Sequence, residues 1–567
     1  MTSTPRRVDL EGLSRALAPW TVALPGLVVL ALSSASFGLD LVDDAYISLT
    51  YARNLASGHG LVFHPLLSPT EGYSNLLWTL MLAIGLKLGF SGAVLAGGLG
   101  WLLSAATLAI LARRIGGIRG VGVGVALALS PIFSYWASRG LEGGLVSLLL
   151  LTAILRLGTR SSWLCFGLLG VTRVEGLVWG GLGLLHALLR RRWRPDARAA
   201  ALWLAPSLLQ FGFRGLYYGA LTPAPLIAKG RSLDATTLKH GLSWLSGALT
   251  GEPILSVTLL LVIVLWARAL ARREPLDRAP WAVLSAAGLV LFGIAVGGDW
   301  MPNLRWLMPA VPLVWLAANE LIPTNGQLGV LVGLSMIIGA QTGQISQGGD
   351  SNPRRWPAAV EVVMRGPPPA RIHPATLFVL EHLSEDEPVV QPDVGMLSWL
   401  TNNPIMDPQG LTWRDAAIAQ STPPGTTEHT EAVKRVGADI RALKPALLGL
   451  TVNGERAAGP AAEALLGSRT GHPPASWFAE GWTLWRDETY SPGVSIRYYL
   501  RNDITDRLTP RARLKRYEAA LERSPDASLL NARVSWTLRQ LGRDDEARAI
   551  DAALDPRDRR SGEVWSR

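Results

Sequence analysis

Three carboxylates fall within five residues near the start of the chain, at Asp40, Asp43 and Asp44. They follow the apolar run 21–37, which is long enough to cross a bilayer. Ionisable groups at membrane depth are costly and mark functional sites by default. One aspartate could cap the helix predicted over Ala45–Ala56. The cap leaves the second aspartate unexplained, so we expect the pair to act in catalysis or ligand binding. Carboxylates alone could also hold a divalent cation such as Mg²⁺ or Ca²⁺.

Additional charged side chains stand at the ends of other apolar runs or interrupt them. Each pair could be a simple local ion pair, and a tryptophan at a span end is common interfacial anchoring. Taken together with the aspartates, these groups favour a polar cavity. They are Arg139 and Glu142, Arg173 and Glu175, and Asp299 with Trp300 and Arg305.

Lys229 and Arg214 are candidates to bind a phosphate, because charge-assisted contacts to an anionic group are strong. Snorkelling of Arg214 to the membrane interface is the competing interpretation. His59 and His64 lie near the aspartates, but the sequence has no His/Cys set with metal-ligand spacing. No cofactor is assigned, apart from the divalent cation that the aspartates could hold.

The composition predicts that membrane helices position these groups. Of the 567 residues, 49% are hydrophobic and 17% are charged, whereas soluble proteins have about 25% charged residues. The net charge of +10 comes from short arginine clusters between apolar runs, which is the positive-inside pattern. No basic surface with interleaved aromatic residues is present, so nucleic-acid binding is excluded. Cys165 is the single cysteine, so no disulfide forms within the chain.

Apolar runs of about 17 to 25 residues predict roughly ten membrane spans. The run 163–190 is broken at Thr172–Gly176, and such breaks are tolerated where they line a cavity. The run 75–90 is short. The arginine clusters agree on one topology only if this run lies on or dips into the membrane; a plain crossing is the alternative. The remaining runs are 20–38, 93–112, 119–137, 143–159, 199–219, 253–271, 280–297, 305–321 and 327–345.

The arginine clusters put the N-terminus inside and the polar clusters outside, in a multi-pass protein of the inner membrane. Residues 1–345 form the predicted transmembrane domain, and residues 346–505 an extracytoplasmic α/β domain with strand candidates at 388–392, 446–452 and 477–500. Residues 506–567 form a helical hairpin followed by a third helix, and resemble one tetratricopeptide unit. One unit cannot bury its own apolar face, so we expect it to pack on the preceding domain or to dock a partner.

The first predicted outer loop resembles that of GT-C glycosyltransferases. The likeness is nearest to the arabinofuranosyltransferase-like branch, as in mycobacterial terminal β-(1→2)-arabinofuranosyltransferases, and it covers about residues 20–320. It does not include the C-terminal helical hairpin. The segments that carry it are Asp43–Ile47, Arg53–Leu55, Gly58–Val62 and Glu71–Asn75, with weaker similarity at Thr172–Gly176, Tyr217–Gly219 and Gly298–Met301.

The resemblance implies a GT-C-like fold and transfer of a sugar, such as arabinofuranose, from a polyprenyl-phosphate donor to a glycan, lipid or glycoprotein acceptor on the outer membrane face. It implies that Asp43 or Asp44 is the general base, and that the other orients the acceptor or binds a metal. The expected phosphate-binding residues are Arg173, Lys229 and Arg305. The expected sugar- or acceptor-binding residues are Glu71, Tyr73, Asn75, Glu142, Glu175, Tyr218, Asp299 and Trp300.

Two other functions are compatible with a polytopic protein. A transporter or flippase for a lipid-linked sugar would need polar groups near the membrane midplane and an internal repeat of spans. No repeat is evident, and the polar clusters favour one face. A scaffold for envelope assembly would explain the repeat-like C-terminal helices, but not the acidic groups near the membrane. Substitution of Asp43 and Asp44 distinguishes these functions, because a scaffold tolerates it.

Overall fold

The computed structural model is predominantly helical. It describes residues 18–37, 40–189, 197–229, 234–251, 253–272, 277–299, 301, 304–322, 325–327, 329–331, 333, 372–453, 456–457, 460–466, 476–491, 494–504, 508–524 and 528–554. Of the predicted features, Trp300, most of the span 327–345 and the boundary at residue 346 lie outside the described residues.

Fifteen helices lie between Leu24 and Leu321 among the described residues. A 3₁₀ turn, Ala18–Ala23, leads into the first of them. The helices are α1 (Leu24–Ser36), α2 (Asp43–Ala56), α3 (Leu76–Lys87), α4 (Gly92–Ile115), α5 (Gly117–Leu129), α6 (Pro131–Ala137), α7 (Gly143–Leu155), α8 (Arg160–Thr172), α9 (Gly176–Leu189), α10 (Ala197–Tyr217), α11 (Ala224–Lys229), α12 (Ala235–Gly251), α13 (Pro253–Ala271), α14 (Ala279–Ala295) and α15 (Ala310–Leu321).

Among the described residues, one helix is long and apolar enough to cross a membrane on its own, namely α4. A second span results if α5 and α6, which meet at a bend of 70°, count as one broken segment. Several other helices are apolar but shorter than 18 residues, including α3, α7, α9, α14 and α15. The predicted number of roughly ten spans therefore stays a prediction.

The predicted break at Thr172–Gly176 is present, because α8 ends at Thr172 and α9 begins at Gly176. Close packing of helices through glycine is also observed. A Cβ on Gly26 of α1 would lie 2.8 Å from the backbone of Gly124 in α5, so small residues let these two helices approach.

The C-terminal part combines short helices with a mixed sheet. Strands occur in each of the regions predicted from the alternation of apolar and polar residues. They are β1 (Val389–Val390), β2 (Ile405–Met406), β3 (Leu447–Asn453), β4 (Arg456–Ala457), β5 (Trp482–Ser491) and β6 (Val494–Arg501). The order is β2-β1-β3-β6-β5, with β4 paired to β3. The pairs β1–β2 and β1–β3 are parallel, and the pairs of β6 with β3 and β5 are antiparallel.

The helices of this part begin and end with recognisable signals. In the helix Thr427–Leu443, for example, the Thr426 side chain accepts the N–H of His429 at the start, and Lys444 takes a left-handed conformation at the end. The helices are α16 (Pro374–His382), α17 (Gly395–Thr401), α18 (Arg414–Ser421), α19 (Thr427–Leu443), α20 (Pro460–Leu466), α21 (Ser476–Gly481), α22 (Pro510–Arg523), α23 (Ser528–Gln540) and α24 (Asp544–Ala553).

The chain divides into two compact units. The first draws on Met1–Leu39, Gly97–Ser207 and Ser232–Pro367, and the second on Asp40–Ala96, Leu208–Arg231 and Pro368–Arg567. This division differs from the predicted domain boundaries, because the loop that carries Asp43 and Asp44 groups with the C-terminal residues. The difference has a physical reason, which is a shared hydrophobic core.

One apolar cluster in the second unit joins the loop to the sheet. Tyr51, Phe63 and Tyr73 from the loop are packed in the same cluster as Leu397 of α17 and Tyr498 of β6. The alternation of apolar residues predicts that each segment has a buried face, but not which segments bury their faces together.

The C-terminal helices α22 and α23 belong to the same unit and pack on the rest of it. Helix α22 contacts α16 and α17. The Tyr517 hydroxyl donates to the Glu381 carboxylate at 2.9 Å, and the Arg533 guanidinium lies 3.2 Å from the same carboxylate. Of the two expectations for these helices, packing on the preceding domain is the one observed.

Candidate functional site

Asp43 begins α2 and bonds the start of another helix, α17. Its two carboxylate oxygens accept the backbone N–H groups of Gly395 at 2.9 Å and of Met396 at 2.8 Å. Desolvation raises the pKa of the Asp43 carboxyl to about 7; the two amide bonds oppose this rise, while Asp393 and Asp44 add to it. Both oxygens of Asp43 are therefore engaged with backbone amides.

Asp44 is in a different environment from its neighbour. Its Oδ2 atom lies 3.9 Å from the ammonium group of Lys229, the last residue of α11. The side chain of Asp44 is 21% exposed and that of Lys229 is 44% exposed. Exposed ion pairs are weak, so both groups can exchange their mutual contact for a ligand. The structure thus brings together a predicted base and a predicted phosphate-binding residue.

Asp393 is an acidic residue that the sequence reasoning missed. Burial raises the pKa of its carboxyl, with His373 opposing this rise and Asp44 adding to it. Asp393 follows β1 in the parallel part of the sheet, where the carboxyl ends of strands commonly carry ligand-binding groups. That placement is the signal that could have identified it. Within the described residues, no group of three or more His, Cys, Asp or Glu has the geometry to hold a metal ion.

Glu71 and Arg214 form a buried ion pair in the second unit. The Arg214 Nε atom lies 2.9 Å and 2.7 Å from the two carboxylate oxygens, and both side chains are 3% exposed. Burial raises the pKa of the Glu71 carboxyl, although Arg214 opposes the rise. The backbone carbonyl of Glu71 also accepts the N–H of Ala224 at the start of α11. The pair therefore fixes the segment that leads into Lys229.

Three predicted sugar-binding residues take part in hydrogen bonds that hold the loop. The Tyr218 hydroxyl donates to the Leu61 carbonyl at 2.6 Å, and the Tyr73 hydroxyl lies 3.2 Å from the Tyr218 oxygen. Asn75 exchanges hydrogen bonds with Ser48 of α2. Tyr73 and Asn75 are 2% and 5% exposed, so the geometry favours positioning over direct sugar contact for these two.

Glu71 and Tyr218 also line a small pocket of about 230 Å³. Thr70, Thr222 and Arg414 contribute polar groups to its wall. Two of the residues predicted to bind sugar or acceptor therefore line one pocket of the second unit. Its walls offer hydroxyl and guanidinium donors to a ligand.

The first unit contains the second group of predicted residues. Arg173 lies at the break between α8 and α9, where its Nη1 atom is 2.6 Å from Glu142 and its Nε atom is 2.5 Å from Glu175. The three side chains are 20%, 6% and 16% exposed, respectively. Arg139 donates to the Phe37 carbonyl.

The Arg173 triad lines a pocket of about 580 Å³. Apolar and aromatic side chains, including Trp136, Trp179 and Trp306, form most of its wall. Arg305 also lines this pocket. Two of the three residues predicted to bind phosphate, Arg173 and Arg305, therefore line the same cavity. The sequence reasoning did not select the three tryptophans, which lie within or beside the apolar runs.

Asp299 is held by Arg305. Its two carboxylate oxygens lie 3.0 Å and 3.3 Å from the Arg305 guanidinium, and its side chain is 1% exposed. One oxygen also accepts the N–H of Met301 at 3.3 Å. This arrangement makes Asp299 a partner that orients Arg305, whereas the sequence suggested direct contact with a sugar hydroxyl.

No protein-family model matches the chain, and no curated protein matches it. Among solved structures, the chain is similar to ArnT from Cupriavidus metallidurans bound to undecaprenyl phosphate, with 16% identity and a TM-score of 0.45 over 75% of this chain and 80% of that chain. It is similar to the mycobacterial arabinofuranosyltransferase AftD, with 17% identity and a TM-score of 0.43.

The match with AftD covers 85% of this chain but 40% of the AftD chain. A third similarity is to the Archaeoglobus fulgidus oligosaccharyltransferase in complex with zinc and sulfate, with 14% identity and a TM-score of 0.42 over 75% of this chain and 67% of that chain. At these TM-scores, what can be proposed for this chain rests on its own residues.

Proposed function

We propose that this protein is a membrane glycosyltransferase of the GT-C type. It moves a sugar from a polyprenyl-phosphate donor to a glycan, lipid or glycoprotein acceptor at the outer face of the inner membrane. The observation that carries the proposal is the pair formed by Asp44 and Lys229, in which a carboxylate lies 3.9 Å from an ammonium group and both side chains are partly exposed. The first-loop motif around Asp44 supports it.

The two groups match the two charges that develop in such a transfer. Asp44 takes the proton of the acceptor hydroxyl as its oxygen attacks the anomeric carbon of the donor sugar. The bond between that carbon and the phosphate oxygen breaks, and the electron pair leaves with the polyprenyl phosphate. Lys229 stabilises the charge on the departing phosphate. Asp43 holds the turn that carries Asp44, because both its oxygens bind the start of α17.

The pocket of the first unit supports a lipid-phosphate ligand. Its tryptophan and leucine walls suit an isoprenoid chain, and Arg173 and Arg305 suit a phosphate. Glu142 and Glu175 both bond Arg173, so their negative charge lowers the affinity of this pocket for an anion. Arabinofuranose is the first donor sugar to test, on the basis of the first-loop resemblance.

The test is transfer by the full-length protein in lipid nanodiscs. Radiolabelled polyprenyl-phosphate sugars, starting with the arabinofuranosyl form, are supplied with membrane glycan as acceptor. Removal of a general base costs about 10²- to 10⁴-fold in rate, so Asp44→Asn is expected to lose transfer to this extent. Asp487→Asn, which alters an exposed pair with Arg497, is the control and is expected to keep full activity.

Two results would count against the proposal. Undiminished transfer by Asp44→Asn and by Asp43→Asn would remove the first-loop aspartates from the reaction. Absence of transfer from every polyprenyl-phosphate sugar, by a wild-type protein that is folded, would remove the donor class. Loss of transfer in Asp44→Asn with normal thermal unfolding supports the assignment of the base.

A transporter for a lipid-linked sugar is the second candidate. The observation that favours it is the interruption between α8 and α9, where Arg173 bonds the neighbouring Glu175 and also Glu142 at the start of α7. Transporters bind substrates at such interruptions. Movement of a fluorescent polyprenyl-phosphate sugar across proteoliposomes without any transfer to acceptor would identify this function.

A further inference from the structure

Three arginine side chains from other helices bond the C-terminal end of α17. The last four carbonyls of a helix have no partner within it. Here Arg53 donates to the carbonyls of Trp399 at 3.0 Å and Ser398 at 3.3 Å. Arg523 donates to the Leu400 carbonyl at 2.8 Å, and Arg516 donates to the Thr401 carbonyl at 3.1 Å. All four carbonyls are therefore bonded by guanidinium groups.

The same helix is bonded at its start by Asp43. Its first two amides, of Gly395 and Met396, donate to the Asp43 carboxylate. A negative group at the start and positive groups at the end both stabilise a helix through its dipole. Helix α17 has only seven residues, too few to be stable without such contacts. Contacts at its end therefore help to keep its first amides in place to hold Asp43.

Helix α2 lies alongside α17 and contacts it at both ends. Asp43 at the start of α2 bonds the start of α17, Arg53 near the end of α2 bonds the end of α17, and the hydroxyls of Thr50 and Ser398 lie 2.9 Å apart between them. The two helices run in the same direction as a bonded pair. Arg516 and Arg523, which also bond the end of α17, belong to a different helix, α22.

We propose that Arg523 and Arg516 of α22 are positioning residues for the Asp43–Asp44 turn, so that the C-terminal helices set the activity of the first loop. This proposal rests on the proposed function, in which Asp44 is the base. Arg523 is the sharper test of the two, because Arg516 also bonds Asn403 and the carbonyl of Leu383.

Several acids lie near the arginine cluster, and Glu385 is the one that acts on all three arginines. Burial lowers the pKa of Arg53 to about 9, and the like charge of Arg523 adds to this effect while Glu385 opposes it. Replacement of Arg523 by Ala removes both a carbonyl partner and a repulsive charge. Replacement by Lys keeps the positive charge and a donor group. A rescue by Lys therefore shows that a positively charged donor at the Leu400 carbonyl is what matters.

The first experiment measures transfer by full-length Arg523→Ala, Arg523→Lys and Arg548→Ala in nanodiscs. Arg548 lies in α24 of the same C-terminal segment, in an exposed pair with Asp545, and serves as the matched control. Loss of a charged hydrogen bond corresponds to about a tenfold change in an equilibrium. We therefore expect kcat to fall about tenfold in Arg523→Ala with KM for the donor unchanged, and to recover in Arg523→Lys.

The second experiment does not depend on activity. Hydrogen–deuterium exchange is followed by mass spectrometry in peptides covering residues 40–52 and 393–401. We expect Arg523→Ala to speed exchange about tenfold in both peptides, because the opening of α17 releases its amides from Asp43. Arg548→Ala is expected to leave both peptides unchanged, and Arg523→Lys to restore most of the protection.

The two experiments separate this proposal from the proposed function. Faster exchange in both peptides supports the positioning role, even if the wild-type protein transfers no sugar and the proposed function fails. Unchanged exchange in residues 40–52 overturns the positioning role, even if the wild-type protein transfers sugar. Equal loss of kcat in Arg523→Ala and Arg548→Ala also overturns it, because a general loss of the C-terminal helices would then explain the result.

Discussion

The backbone of Asp43 fills the space beside Gly395. A Cβ at position 395 would collide with the Asp43 carbonyl group and lie 2.8 Å from its Cγ atom. The same glycine donates its N–H to the Asp43 carboxylate. Glycine is therefore required at this position because two backbones approach each other, and the approach is what lets the carboxylate reach the amides of α17.

Gly395→Ala is expected to push α2 away from α17. Overpacking of this kind costs about 1–3 kcal/mol, and the displaced Asp43–Asp44 turn should lower transfer more than it lowers stability. Thermal unfolding and initial transfer rates measure the two effects. Gly481→Ala in the same unit meets no atom within 4 Å and is the control. Equal activity in the two variants would show that the contact does not position the turn.

The stability contributed by Asp43 should depend on pH. Because desolvation raises the pKa of the folded Asp43 carboxyl to about 7 from its usual 3.8, the folded state favours the protonated form. The stability that the protonated Asp43 carboxyl contributes is complete below about pH 4 and is lost as pH rises through about 7. Asp43→Asn removes this dependence. The stability of wild-type protein relative to Asp43→Asn should fall between pH 5 and pH 8, by at most about 1.4 kcal/mol per pH unit.

Thermal unfolding of the two proteins at pH 5, 6.5 and 8 measures this difference. Burial also raises the pKa of Asp407 to about 7, and Asp43 adds to this rise. The measured difference between the two proteins therefore includes the repulsion between these two carboxylates. A stability difference that stays constant, or that grows in favour of the wild-type protein at high pH, would contradict the prediction.

The buried pair of Glu71 and Arg214 should behave as a coupled unit. Removal of one partner from a buried ion pair costs about 3–5 kcal/mol, because the other charge stays buried. Glu71→Gln should therefore be strongly destabilising. Arg214→Met should be less destabilising at pH 5 than at pH 8, because burial already raises the pKa of Glu71 and the carboxyl can take up a proton. The double variant should recover part of the loss.

Chemical unfolding of the two single variants and the double variant gives the coupling energy. The Lys434–Glu431 pair is the control, since both side chains are mostly exposed and such pairs contribute about 0–1 kcal/mol. Additive effects of Glu71→Gln and Arg214→Met would show that the two charges do not depend on each other.

Local sequence signals predicted where helices and strands lie along the chain more completely than they predicted which of these elements contact each other. The start of α2 after Val42, the break after Thr172 and strand β3 follow from acidic residues, charged interruptions and alternation of apolar residues. The bond between Asp43 and Met396 joins residues 353 positions apart. No local pattern encodes such a pairing, because it depends on which apolar faces are buried together.

The roles of the candidate residues show the same limit. The sequence placed Asp43 and Asp44 in one site but could not distinguish them, since they are adjacent and chemically identical. The structure distinguishes them by their partners, which are backbone amides for Asp43 and the Lys229 ammonium for Asp44. Glu142 was expected to bind a hydroxyl, yet its carboxylate lies on Arg173 across 31 positions of sequence.

The charge on Arg173 should set the affinity of the pocket in the first unit for an anion. Glu142 and Glu175 both bond Arg173, so the triad carries a net negative charge. Glu175→Gln removes one negative charge without changing the shape of the side chain. At a partly exposed site, one charge at this distance is worth about 1 kcal/mol, so polyprenyl phosphate should bind about fivefold more tightly. Arg173→Gln should weaken binding by at least as much.

Titration of nanodisc-embedded protein with polyprenyl phosphate and with the uncharged polyprenol measures both effects. The same shift in affinity with polyprenol would show that the arginine does not contact the phosphate.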